Sequence, residues 1–208
     1  MLIKTILVAV VACAWLALPS MAATIVNGDF EQTKVFDPYV MLGAGSTALT
    51  GWTIGGTVDH IGSYWQASHG RQSLDMSGAG AGSISQIVTG LVVGQFYQIM
   101  FDLSGNPEAG LRSQKKLQVS MTPGKGTPFT FTYATTGTRN NMKWTGKVFS
   151  FVATSQKAVL TFASKTNTAY GPALDNVRFV TAVPVPAGAP LLIGGIAAFG
   201  ILRRRRKP

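Results

Sequence analysis

Cysteine occurs once in this 208-residue chain, at Cys13, within an apolar N-terminal run. With that run removed, the chain has no disulfide, no thiolate metal site and no cysteine nucleophile. Histidine occurs twice, at His60 and His69, and Asp and Glu together only eight times. Neither an HExxH nor a GxSxG motif is present, so zinc-peptidase and serine-esterase chemistry has no foothold. A glycosidase needs two carboxylates flanking the scissile bond. Asp59, Asp75, Asp102 and Glu108 are available, but nothing in their spacing selects a pair. Helical periodicity is also missing between Thr24 and Val180.

What is present sorts into three parts. Lys4, the apolar run Ile6 to Leu18 and the small residues of Ser20-Met21-Ala22 have the layout of a secretory signal peptide cut after Ala22. Residues 23–182 form one domain's worth of chain, and residues 183–208 a distinct tail. The formal net charge of +10 is carried mostly by the ends. Lys4 and the tail's Arg203 to Lys207 take six of the 18 cations, leaving the middle with twelve against eight acids, a net +4. That mild balance gives no argument for nucleic acid.

In the middle, Gly, Ser and Thr punctuate short β-branched and aromatic runs, an all-β pattern. It predicts eleven strands, near 24–26, 51–54, 58–61, 73–77, 82–88, 95–104, 115–121, 128–133, 144–154, 158–164 and 172–180. Tyr97, Ile99, Phe101 and Leu103 alternate with polar neighbours, as do Leu117, Val119 and Met121. One buried face per strand implies two antiparallel sheets packed as a sandwich. The long connections 31–50 and 105–114 favour a jelly roll over a simple meander. Trp52, between Gly51 and Thr53, reads as core. Arg112, Lys115 and Lys116 read as a solvated strand edge that discourages sheet-to-sheet pairing.

The tail opens with Val183-Pro184-Val185-Pro186-Ala187, whose prolines stop both helix and sheet. The uncharged stretch Ala187 to Leu202 would reach about 24 Å as a helix, against ~30 Å of hydrocarbon core. Arg203, Arg204, Arg205, Arg206 and Lys207 close it. This order of parts resembles the VPLPA-CTERM variant of the PEP-CTERM sorting signals, with Val185 where that family usually has Leu. The resemblance implies an exosortase-type peptidase that cuts near the Val-Pro motif. It places the domain at the cell surface or in the extracellular matrix of a Gram-negative bacterium, anchored to the inner membrane in transit. An uncleaved single-pass anchor is the alternative.

The domain itself is bracketed by Asn27-Gly28-Asp29-Phe30-Glu31 and Ala173-Leu174-Asp175-Asn176-Val177. This pair of ends resembles the galactose-binding-like jelly rolls, which include carbohydrate-binding modules and plant cell-wall proteins. More closely, the span 26–179 resembles the choice-of-anchor C family. The residues carrying that likeness are Val58 to Ala67, Ser73 to Met76, Ser83 to Gln86 and Phe101 to Pro107. The resemblance implies a structural calcium ion held by Glu31 and Asp175, helped by Asp29 and the backbone around Gly70 to Gln72. A non-metal reading has Glu31 capping backbone N–H groups and Asp175 bonding within a turn.

Sugar recognition needs aromatic platforms and polar side chains side by side. Tyr64 and Trp65, with Gln66, His60 and Asn106, supply both, and Trp144 beside Asn140 and Asn141 extends the set. The same aromatics read equally as half-buried rings with satisfied polar tips. Together these features predict a non-catalytic exported β-sandwich that binds or organises extracellular polysaccharide. One rival is an adhesin or matrix protein binding proteins or itself; another is a glycan hydrolase or lyase.

Overall fold

The computed structural model describes residues 23–125 and 128–180. The signal peptide expected to end at Ala22 and the tail from Val183, with its prolines and its Arg203–Arg206 run, lie outside the described residues.

Among the described residues twelve strands form two antiparallel sheets. They are β1 (Tyr39–Gly43), β2 (Thr53–Gly55), β3 (Thr57–Ile61), β4 (Ser73–Asp75), β5 (Ser83–Thr89) and β6 (Phe96–Gly105). The second half contributes β7 (Gln114–Thr122), β8 (Gly124–Lys125), β9 (Phe129–Ala134), β10 (Thr145–Ala153), β11 (Lys157–Ser164) and β12 (Pro172–Phe179). One sheet runs β1-β3-β4-β12-β6-β10-β8 and the other β2-β5-β11-β7-β9. Non-consecutive neighbours such as β4 and β12 mark the crossovers of a jelly roll rather than a meander. Among the described residues the only helical element is a 3-10 turn at Pro107–Ala109.

The alternation resolves as expected. Ile99, Phe101 and Leu103 of β6 and Leu117, Val119 and Met121 of β7 are all buried between the sheets, where Phe101 meets Phe162 edge-on. Trp52 joins them, its indole N–H donating to the Asn27 carbonyl at 2.9 Å. A second, smaller apolar cluster of Ile61, Trp65, Met142 and Ala173 lies on the outer face of the seven-stranded sheet. Loop 62–72 folds over that face and covers it.

Three expectations differ from the structure. Residues 24–26 are not a strand: the Gln86 side-chain amide accepts from the Val26 N–H and donates to the Val26 carbonyl, doing the work of a partner strand. The 31–50 connection contains β1, which pairs with β3 from Tyr39↔Ile61 to Gly43↔Thr57. Lys115 is not on a solvated edge. Strand β7 is held between β11 and β9, and Lys115 is 3% exposed. Its parity with Leu117 turns it inward, and burial pushes its ammonium pKa down.

The two end motifs meet. The Val177 N–H donates to the Gly28 carbonyl at 2.8 Å. A Cβ at Gly28 would collide with the Val177 carbonyl oxygen, so this contact admits only glycine.

Candidate functional site

The outer face of the seven-stranded sheet carries the polar chemistry. Adjacent residues of a strand face opposite ways, so in β3 Val58 and His60 face the sandwich interior while Asp59 and Ile61 face out. Cross-strand register places Asp59 opposite Asp75 and Asp102 opposite Asp175. Four of the eight acids of the chain therefore form two directly opposed pairs, an arrangement like charges disfavour.

Burial answers the conflict. It raises Asp75 to about 7 against the pull of hydrogen bonds from Asn106, Ser77 and Gly171, and Asp59 adds to the rise. It raises Asp59 to about 6. It raises Asp175 to about 7 against three backbone N–H donors, with Asp102 adding to the rise. Asp102 in turn accepts from Ser68 Oγ at 2.6 Å and Asn176 Nδ2 at 2.9 Å.

Above Asp59 lies a cavity of about 320 Å³, lined among others by Tyr39, Tyr64, Trp65, Asn106 and Tyr170. Tyr39 and Tyr170 are about half exposed. Tyr64 meets Tyr39 edge-on at 5.5 Å between ring centroids. Its hydroxyl accepts from Arg139 at 2.7 Å, and the guanidinium sits 4.1 Å from its ring centroid. Arg139 is ion-paired with Glu108 at 2.7 Å. Burial raises the Tyr64 phenol first, and the nearby Glu108, Tyr39 and Tyr170 act in the same direction. The three phenols therefore converge. Asn106 Nδ2 donates to Asp75 at 2.7 Å while its Oδ1 accepts from the Glu108 N–H at 2.8 Å. Asp59 Oδ1, buried at the base, has no hydrogen-bond partner among the described residues.

The residues expected to bind sugar divide. Tyr64, Trp65 and Asn106 share this cavity, but Trp65 offers no open face: it is 4% exposed and its indole N–H donates to Ser73 Oγ at 2.8 Å. Gln66 is exposed beside a neighbouring, larger cavity with Phe36 at its lip. The Gln66 carbonyl accepts from Trp144 Nε1 at 2.9 Å, so Trp144 buttresses the loop. His60 is on the wrong face of β3 for this cavity. It is buried with Nε2 at 3.0 Å from the Phe30 carbonyl, and burial lowers its pKa. The pattern of the chain offers Asp59 only as one of four unselected acids and does not point to Tyr39 or Tyr170, which come from distant loops and edges that only the fold brings together.

The expected calcium ligands are surrounded by donors. Glu31 Oε1 accepts from the N–H groups of Arg71 and Gln72, both at 2.6 Å. Asp175 Oδ2 accepts from Ser68 and His69, and its Oδ1 from Asn176. Asp29 Oδ1 accepts from the Glu31 N–H. A calcium shell is built from 6–8 oxygens. Here the 70–72 backbone presents N–H groups, not carbonyl oxygens, to Glu31 Oε1, so it does not supply the helper oxygens expected of it at that atom. Among the described residues no three His, Cys, Asp or Glu side chains group as metal ligands.

A family model described as "Protein of unknown function (DUF642)" matches residues 23–180. Halomucin of Haloquadratum walsbyi is 34% identical over 172 residues, which is 79% of this chain. The chain spans about 2% of the length of that relative. Among solved structures, a family 35 carbohydrate-binding module from Clostridium thermocellum is similar at 12% identity and TM-score 0.48. The match covers 69% of this chain and 98% of the module. TmCBM61, solved with beta-1,4-galactotriose, is similar at 17% identity and TM-score 0.45, over 74% of this chain and 94% of that one.

Proposed function

The chain belongs to the DUF642 family, and from that premise we propose that its β-sandwich is a non-catalytic module that binds a saccharide unit in the cavity between Tyr39, Tyr64 and Tyr170. The observation that carries the reading is the cavity itself: aromatic walls over a polar base, open to solvent, on a rigid sheet. Aromatic rings cover the apolar face of a sugar, and the hydroxyls and Asp59 meet its polar edge. Its volume of about 320 Å³ suits one ring. A single-ring site of this kind binds weakly, with dissociation constants from high micromolar to millimolar, about −4 to −6 kcal/mol. Many copies on a surface raise the effective affinity.

The setting belongs to the same proposal. The signal sequence to Ala22 and the VPLPA-CTERM-like tail support export, exosortase-type processing and display at the surface of a Gram-negative cell, as in the choice-of-anchor C proteins. The binding test is a polysaccharide pull-down with the purified protein and its Tyr170→Ala variant. At 47% exposed, Tyr170 can be truncated without opening the core. The expected outcome is at least a tenfold loss of retention at an unchanged melting temperature. Retention equal to wild type moves the site elsewhere.

One observation favours a second reading, an adhesin or matrix protein. Edge strand β1 is uncharged, and Tyr39, Val40 and Met41 are exposed on it. If no glycan is retained, self-association that Val40→Lys abolishes in sedimentation would support that reading.

A further inference from the structure

Resting on the saccharide reading above, we propose that the unit bound in this cavity is an amino sugar with a free amine, its ammonium seated against Asp59. Asp59 is the charged residue of the lining. Its carboxylate is drawn partly out of water, and Oδ1 is left without a donor. A carboxylate held this way costs stability unless a donor arrives.

The amide and guanidinium nearest the cavity are already engaged. Asn106, which shares the lining, is committed at both ends of its amide, to Asp75 and to the Glu108 N–H. Arg139 is committed to Glu108 and to Tyr64. Facing Asp59 across the sheet is another acid, Asp75, and on the other side Met41. The cation behind this pair is Lys115, on the opposite sheet, whose ammonium feels the charge of Asp75. Asp59 itself lines the cavity, so a cation that fills it offsets the charge of this carboxylate.

A hydroxyl would serve as a donor, but the surroundings select a cation. The faces of tyrosine rings attract positive charge; Arg139 already uses Tyr64 in this way. A charge-assisted hydrogen bond is roughly twice as strong as a neutral one. A uronate would place its carboxylate against Asp59, so acidic polysaccharides are excluded from this position although the domain is mildly basic overall.

The test is calorimetric titration of the purified protein at pH 6.5 with two pentasaccharides, one of glucosamine and one of N-acetylglucosamine. They share a backbone and differ in the amine. The expected result is at least tenfold tighter binding of the glucosamine oligomer. Asp59→Asn, which keeps the shape and removes the charge, should bring the two affinities to within about twofold, with the melting temperature confirming that the variant is folded. Equal binding of the two oligomers by the wild-type protein would overturn the amine and leave the saccharide reading standing, and an undiminished preference in Asp59→Asn would overturn Asp59 as the seat of the amine. Failure to bind either oligomer, together with a failed polysaccharide pull-down, would remove both.

Discussion

At the scale of residues, most of the chemistry is set by which side of a strand a side chain occupies. His60 and Asp59 are neighbours in sequence, yet one faces the interior and the other a solvent cavity. Trp65 is likewise a wall, held by its hydrogen bond to Ser73. Trp65→Phe keeps the ring but strands the buried Ser73 hydroxyl. It should cost about 1–3 kcal/mol in urea unfolding, where an exposed platform residue would cost almost nothing. The acids of the outer face make a second prediction. Burial puts Asp59, Asp75 and Asp175 at about 6, 7 and 7, above the ordinary carboxylate value of about 4. Between these values the folded chain binds more protons than the unfolded one, so the unfolding free energy falls as pH rises through that window. The melting temperature should therefore be higher near pH 5 than near pH 7.5. Asp175→Asn should reduce the difference; a melting temperature that climbs steadily to pH 7.5 in the wild type would contradict the raised values.

At the scale of elements, punctuated β-branched and aromatic runs located ten of the twelve strands among the described residues to within a few residues, and alternation is clear where a strand buries one face, as in β7 and β11. β1 was missed because it is an edge strand whose run Tyr39-Val40-Met41-Leu42-Gly43 has no polar alternation and is mostly exposed. β8 is two residues long, too short for any period. The strand expected at 24–26 failed for the opposite reason: its apolar pattern is real, but a side-chain amide replaces the neighbouring strand. The basic run at Lys115-Lys116 was read as an edge, and whether a strand is an edge is a property of the sheet order. The joint between the two end motifs gives the prediction at this scale. Gly28 lies so close to the Val177 carbonyl that Gly28→Ala must push β12 away. A loss of about 1–3 kcal/mol is expected, measured by urea unfolding; an unchanged midpoint would show that the opening segment is not clamped.

At the scale of the whole molecule, two expectations concern what surrounds the domain. Because backbone N–H groups already occupy Glu31 Oε1 and both carboxylate oxygens of Asp175, millimolar calcium should leave the melting temperature where chelator leaves it. A rise with calcium would show that these loops rearrange around the ion. The surface-exposed protein should end near Val183 to Ala187 by mass spectrometry; an intact Arg203–Arg206 run in that material would mean a retained anchor. The all-β class and the two-layer packing were determined by the sequence alone, because period-two burial is a local property that survives any arrangement of strands. The cavity was decided only by tertiary structure. Tyr39 comes from an edge strand, Tyr64 from the loop after β3, Tyr170 from the turn before β12, and Asp59 gains its unpaired, raised carboxylate from the strand laid opposite it. No local pattern encodes such a meeting, since it depends on the order in which distant strands pair.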